Sequence, residues 1–343
     1  MPAQPIAIKS TGLVTSVGLS APATCAAIRA KISNPTETRF IDSGGEWIMA
    51  HQVALEKPWR GRTKLAKMAA MAIAECLADL PRQEWASIPL LLCVAEPERP
   101  GRVEGLDDQL FLDIQQELNT RFAPESVIVA QGRVSVAIAL AQARKLIHEG
   151  NAPQVLIAAA DSLLTWPTLS VYEREERLLT ERNSNGFMPG EGGGALLVGQ
   201  PGNKAELQCV GIGVGMEKAN IHAEEPLKAD GLTSAIKESL RDAGCDESVL
   251  QFKIVDVSGE QYYFKEASLA FSRVDRTKRK EFDIWHPAEC VGQVDAAIGV
   301  LMTVVLKVAC EKGYTKGDHI LAHLSNDDGA RASMIFSWQS AGG

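Results

Sequence analysis

Hydrophobic positions along residues 64–79 recur at three- and four-residue spacing, with Leu65, Met68, Ala72 and Cys76 on one face. That period predicts an amphipathic helix, and Thr63 stands where an N-cap belongs. An unbroken apolar run follows over 88–95 (IPLLLCVA), which fits a strand buried on both faces. The same order recurs later in the chain. Ile236 and Leu240 mark a helix over 232–243 that Gly244 stops, and 252–257 (FKIVDV) reads as the next strand. After the first strand come a strand at 126–130, a helix at 136–148 stopped by Gly150, and a strand at 155–160. After the second come a helix at 294–309 with Gly313 beyond it and a strand at 319–324. Each half then closes on a turn and an apolar strand, 186–198 (GFMPGEGGGALLV) and 329–338 (GARASMIFSW). Two βα-rich units in one order imply duplicated α/β halves, 1–203 and 204–343. The helix at 294–309 is apolar on nearly every face, interrupted by Asp295, Thr303 and Lys307. Such a helix needs cover on all sides, as between two sheets.

Composition narrows the function more than the fold. With 343 residues, 45% hydrophobic and 23% charged, the chain can bury a sizeable core. A net charge of -8 argues against nucleic acid and anionic membrane as partners. The basic clusters Arg60/Arg62/Lys64/Lys67 and Arg273/Arg276/Lys278/Arg279/Lys280 read as solvated loops or helix ends. The most apolar stretch, 294–305, contains Asp295 and is too short to span a bilayer. The first ten residues (MPAQPIAIKS) carry no signal-peptide pattern, so a soluble, cytoplasmic protein is expected. Seven scattered cysteines show no zinc spacing, and most lie in apolar runs, so no metal is expected. Gly190, Gly192, Gly193 and Gly194 precede a strand rather than open a helix. They read as a tight turn, not a phosphate loop, and no cofactor is expected.

Several segments together resemble a family. Residues 12–19 (GLVTSVGL), with 23–29 following, are similar to the GxGxVTxxGxs opening of β-ketoacyl synthases. Residues 139–150 (ALAQARKLIHEG) and 155–162 (VLIAAADS) resemble their AIxxAxxxIxxG and vxlAGGxxs. The most specific match is 185–198 (NGFMPGEGGGALLV), which resembles DGFvxGEGAGalvl. The resemblance implies the α/β thiolase-like fold: two pseudo-duplicated halves in five layers (αβαβα), usually assembled as a homodimer.

The family's condensing chemistry uses a cysteine at the N-terminus of a central helix and two histidines that stabilise an oxyanion. The cysteine stands in TACAxGxxAI, six residues before the alanine of the helix. Counting back from Ala139 reaches Arg133, or Gln131 with a two-residue insertion. Neither is a nucleophile, and a cation at a helix N-terminus reverses the field a thiolate needs. Ser135 is near but has no flanking histidine to activate it. The first histidine, in HGTGT, corresponds to Ser258 with Gly259 kept, and 265–267 (KEA) matches the downstream xEA. For the second, in GHxxGAAG, 288–295 (AECVGQVD) places Glu289 at the histidine position and keeps Gly292. The NSFGFGGxNAS segment becomes 324–333 (LSNDDGARAS), with Asn326, Asp327 and Asp328 where the phenylalanine gate stood.

No catalytic residue of the family set is therefore expected to survive. The leading reading is a non-catalytic homologue with a scaffold, adaptor or partner-binding role, in which Arg133 and Glu289 fill the old pocket as an ion pair. The resemblance extends loosely to degenerate oxoacyl synthase proteins of type VI secretion effector operons, which implies an adaptor for a secretion effector. A second reading is an acyltransferase with rearranged chemistry, using Cys290, Glu289 and His286 of the WHPAEC segment. A third is a chain-length-factor-like subunit, whose relatives often carry glutamine for the cysteine and pair with an active ketosynthase and an acyl carrier protein.

Overall fold

The computed structural model describes residues 3–277 and 281–339. Lys278, Arg279 and Lys280 of the second basic cluster lie outside the described residues. The chain opens with strand β1 (Ile6–Val14), helix α1 (Ala21–Arg29) and a hairpin of β2 (Thr36–Ile41) and β3 (Trp47–Ala50). Helix α2 (Gly61–Cys76), β4 (Leu90–Val94), α3 (Gln109–Leu118), β5 (Val127–Ala130), α4 (Ser135–His148) and β6 (Gln154–Ser162) follow. Helix α5 (Trp166–Arg174) and β7 (Glu191–Gly199) complete the first run. The second run is β8 (Glu206–Met216), α6 (Asp230–Ala243), β9 (Phe252–Val255), α7 (Gln261–Val274), β10 (Asp283–Trp285), α8 (Ala288–Val291), α9 (Ile298–Glu311), β11 (His319–Ser325) and β12 (Ala330–Gln339).

The strands line up as β10-β9-β11-β12-β8-β1-β7-β6-β4-β5. Read outward from the centre, β8, β12, β11, β9 and β10 mirror β1, β7, β6, β4 and β5, so the duplication appears directly in the strand order. Among the described residues, the strands of the two sets pair through Ile6 with Cys209 and Ala7 with Gln208. Each set ends on an antiparallel hairpin, β6 with β7 and β11 with β12. Helices α4 and α9 lie in the middle, packed with residues of both sets in one apolar cluster. Helices α2 and α3 cover the outer face of the first set, and α6 and α7 that of the second. Five layers result. Every residue of α9 from Ile298 to Cys310 is buried, as its all-round hydrophobicity requires.

Local details differ from the sequence reading. Helix α2 starts at Gly61 with Arg60 at its cap and no side-chain capping bond, so Thr63 falls inside the first turn. Helix α9 starts at Ile298, because Asp295–Ala297 forms a separate 3-10 turn. In β8, which the hydrophobic pattern does not mark, Gly211, Gly213 and Gly215 are close-approach glycines. A Cβ at these positions would come within 2.2, 2.1 and 2.2 Å of backbone oxygens of α6, so the helix lies flush on the strand. Among the described residues no helix is long and apolar enough to cross a membrane.

Candidate functional site

Two 3-10 turns face each other where the central helices begin. Gly132–Val134 leads from β5 into α4, and Asp295–Ala297 leads from α8 into α9. Each opens on a left-handed residue, Gly132 at φ 54° and Asp295 at φ 36°. Gly132 has a second reason to be glycine: a Cβ there would lie 2.1 Å from Glu96 Oε2. Both turns are capped from elsewhere. Val134 donates its backbone N–H to Asn326 Oδ1 at 3.3 Å, and Ala296 donates to Asp161 Oδ2 at 3.1 Å.

Arg133 fills the space between the turns and is 6% exposed. Its Nε donates to Asp295 Oδ1 at 3.1 Å, Nη1 to the Ser325 carbonyl at 2.8 Å and Nη2 to Asp327 Oδ1 at 2.6 Å. The Tyr263 ring lies under the guanidinium at 5.0 Å. Asp327 is shared. Arg177 donates to it through Nη1 at 2.8 Å and Nη2 at 3.1 Å while its fork also grips Glu260 at 2.8 and 3.0 Å. The Tyr263 hydroxyl donates to Asp327 Oδ1 and that of Tyr172 to Oδ2 at 3.4 Å. On the other side, Asp295 takes further hydrogen bonds from Gln293 Nε2 at 3.0 Å and Arg99 Nη1 at 3.3 Å, and Arg99 also pairs with Asp161 at 2.7 Å.

Burial works against the Asp327 carboxylate. Arg133 and Arg177, with hydrogen bonds from Arg177 and Tyr263, outweigh it and hold the group far below the usual carboxylate range. Neighbouring carboxyls go the other way. Burial, reinforced by Asp295 and opposed by Arg99, pushes Glu96 up to about 7. Burial likewise pushes Asp256 up to about 6 despite Arg133. From outside, a cavity of about 430 Å³ reaches Arg177 and Glu260.

No family model matches the chain, and no curated relative matches it. Solved structures do. A chain of the ishigamide ketosynthase/chain length factor superposes with a TM-score of 0.80 at 17% identity, over 98% of this chain and 100% of that one. An oxazolomycin ketosynthase domain from Streptomyces albus JA3453 gives 0.81 at 12% identity, over 99% of this chain and 76% of that one. A β-ketoacyl synthase from Burkholderia phymatum STM815 gives 0.76 at 15%, over 98% and 100%. The chain has the thiolase-like ketosynthase fold.

Within that ketosynthase fold, the residues singled out in the sequence divide into two groups. Arg133 and Ser258 lie in the network: Ser258 Oγ donates to Gln293 Oε1 at 2.6 Å, and Gln293 leads on to Asp295. Gln131 is exposed and takes part through its backbone, its carbonyl accepting from Asn326 Nδ2 at 2.9 Å. Ser135 is a structural hydroxyl, accepting from Gln131 N and donating to the Val129 carbonyl, both at 3.1 Å. Asn326 and Asp327, read only as a lost gate, are a cap and the hub of the network. The exposed Asp328 stands apart from it; its Oδ1 closes a turn on Ala330 N at 2.8 Å.

The expected Arg133–Glu289 ion pair does not form. Glu289 lies on the exposed side of the short helix α8, where Lys31 binds it and His286 Nδ1 lies 3.8 Å away. Arg133 turns instead to the returning β11–β12 loop and to the turn before α9. Cys290 is buried beside Glu289, and burial, with the Glu289 charge, pushes its thiol up. His286 meets Phe264 edge-on at 6.3 Å. These three residues form no charge-activated thiolate. Sequence reasoning missed Gln293, Arg177, Glu260 and Tyr263. Only Gln293 had a local signal, its place beside the retained Gly292.

Proposed function

We propose that the chain is a non-condensing ketosynthase-like subunit that acts through a protein partner, in the manner of a chain-length factor. The observation that carries this reading is Arg133 at the start of α4, where counting puts either it or Gln131 at the family cysteine's place; Asp295, Asp327 and the Ser325 carbonyl hold its guanidinium. A guanidinium held by carboxylates accepts no acyl group. The family's second histidine is best equated with Gln293 rather than Glu289. The GHxxGAAG pattern fits 292–299 (GQVDAAIG), four residues further on, and Gln293 is the residue that meets Ser258, at the first histidine's place. A hydroxyl and an amide then stand in for two imidazoles, and the site lacks both nucleophile and acid–base pair.

The partner side of the proposal rests on the sheet edge. Strand β5 ends the sheet, with Val127 45% and, on neighbouring α3, Leu112 52% exposed. A second copy or an active ketosynthase would pair along this edge. Among proteins of similar fold, one solved structure is a ketosynthase in complex with its chain length factor from Xenorhabdus doucetiae, and another a type II polyketide acyl-carrier protein in complex with its ketosynthase. We take residues 1–203 and 204–343 as the duplicated halves, a division that the mirrored strand order supports. Malonyl and acyl thioesters of an acyl carrier protein, incubated with the purified chain, are expected to give no decarboxylation and no acyl adduct by intact mass. Stoichiometric acylation, above all at Cys290, would sink the proposal in favour of a rearranged acyltransferase.

A further inference from the structure

The outer face of the second strand set carries a charge that the network does not use. Along β9, Phe252 and Ile254 point into the central core, so Lys253 and Val255 point the opposite way, beneath α7. Lys253 is 3% exposed. Among the described residues no carboxylate pairs with its ammonium, and burial alone shifts its pKa; the Phe271 ring lies 4.4 Å from it. A buried cation without a counter-charge is costly unless something supplies one.

Lys253 lines a cavity of about 620 Å³ whose other walls include Val255, Val257, Phe264, Phe271 and Ile284. That volume is typical of small-molecule sites, which pair apolar walls with few polar anchors. Other polar groups of the lining include His286 and Asp275, the latter's Oδ1 engaged by the backbone N–H of Thr277 at 2.9 Å. On the adjoining β11, His323 is buried without a partner on either nitrogen. Burial, Lys253 and Arg331 hold its pKa down to about 3, so it stays neutral. Burial lowers Lys253 to about 8, which leaves the ammonium charged at neutral pH.

We infer that this cavity binds an aliphatic monocarboxylate, its carboxylate on the Lys253 ammonium and its chain along the apolar wall. An inorganic anion would meet the charge but leave the wall wet; a neutral hydrocarbon would cover the wall but leave the charge unpaired. The site faces away from the starts of α4 and α9, so its occupancy is independent of whether the chain condenses acyl groups.

The test is isothermal titration of the full chain with octanoate, octanol and acetate at pH 7. Octanoate is expected to saturate, with octanol and acetate each weaker by roughly tenfold or more, the worth of a charge-assisted hydrogen bond or of the buried chain. Lys253→Met, close in shape, should remove the preference for octanoate over octanol. Ala267→Phe fills the same wall with the lysine intact and should abolish octanoate binding, which keeps the proposal testable if Lys253→Met does not fold. Octanoate that fails to saturate, or that binds either variant as tightly as the parent, would overturn the inference.

Discussion

The two central helices begin with one backbone device put to opposite chemical ends. Both follow a 3-10 turn that opens on a left-handed residue, and both are capped by a side chain from the other strand set. At the start of α4 that residue is Gly132, whose φ of 54° favours glycine, with the Glu96 carboxylate resting where a Cβ would be. At the start of α9 it is Asp295, and the strain of a positive φ is offset by donors on its carboxylate from Arg133, Arg99 and Gln293. An aspartate beside a helix N-terminus also suits the helix dipole, whereas Arg133 opposes it. Arg133 therefore depends on acceptors from elsewhere, while Asp295 is placed well by its own turn. The Arg133 side chain between the two turns is thus held from the α9 side and from the β11–β12 loop, not by α4 itself.

The sharpest way to break this asymmetry is to remove the hub. Asp327→Ala leaves Arg133 and Arg177 facing each other across a site without their shared carboxylate. The loss is expected to be about 3–5 kcal/mol of unfolding free energy, as for breaking a buried ion pair from one side. Urea denaturation at pH 7 reads it directly. A loss under about 1 kcal/mol, the range of a surface pair, would mean that Glu260 and Asp295 suffice and that Asp327 is not the hub.

Particular residues explain how much of this was legible from the sequence. Gly244 ends α6 in the left-handed conformation expected of a helix stop, because local backbone chemistry decides it; α4 instead has its C-cap at Glu149, and the left-handed residue after it is Asn151 rather than Gly150. The duplication was visible because hydrophobic period is local too. Strand β8 was not, since its GIGVG glycines look like a turn and serve instead a helix that lies over them. At the site, counting brings Arg133 or Gln131 to the start of α4, but the partners of Arg133 could not be read that way. Asp295 is two residues from Gln293, and Asp327 is 194 residues from Arg133, on a loop that only the folded sheet returns to the start of α4. The register over 288–295 puts Glu289 at the pairing position, but on α8 it is the one exposed residue while Ala288, Cys290 and Val291 are buried.

A double-mutant cycle sharpens the contrast at the point where the two turns touch. Arg133→Met and Asp295→Asn, each alone and together, measure the coupling between the cation of one turn and the anion of the other. A coupling of about 1–3 kcal/mol is expected for residues in one buried network. Additivity within about 0.5 kcal/mol would mean that each turn is stabilised separately. The asymmetry also sets an order: Arg133→Met alone leaves Asp327 with Arg177 and Asp295 with Arg99, so its cost should fall below that of Asp327→Ala.

An effect of similar size concerns Glu96, the carboxylate that rests against Gly132. Its folded pKa is raised to about 7 from an ordinary 4.5. Between those values the folded chain keeps a proton that the unfolded chain has lost, so the stability this group contributes at pH 4 is lost as pH rises through 7. Glu96→Gln fixes the neutral form. The variant should match the parent near pH 4 and exceed it by about 1–3 kcal/mol at pH 8, since each pKa unit is worth about 1.4 kcal/mol. Asp256 titrates in both proteins, so the difference between their stability–pH curves isolates Glu96. Parallel curves from pH 4 to 8 would place the Glu96 charge in water rather than against Gly132, and the turn before α4 would then owe its glycine to backbone geometry alone.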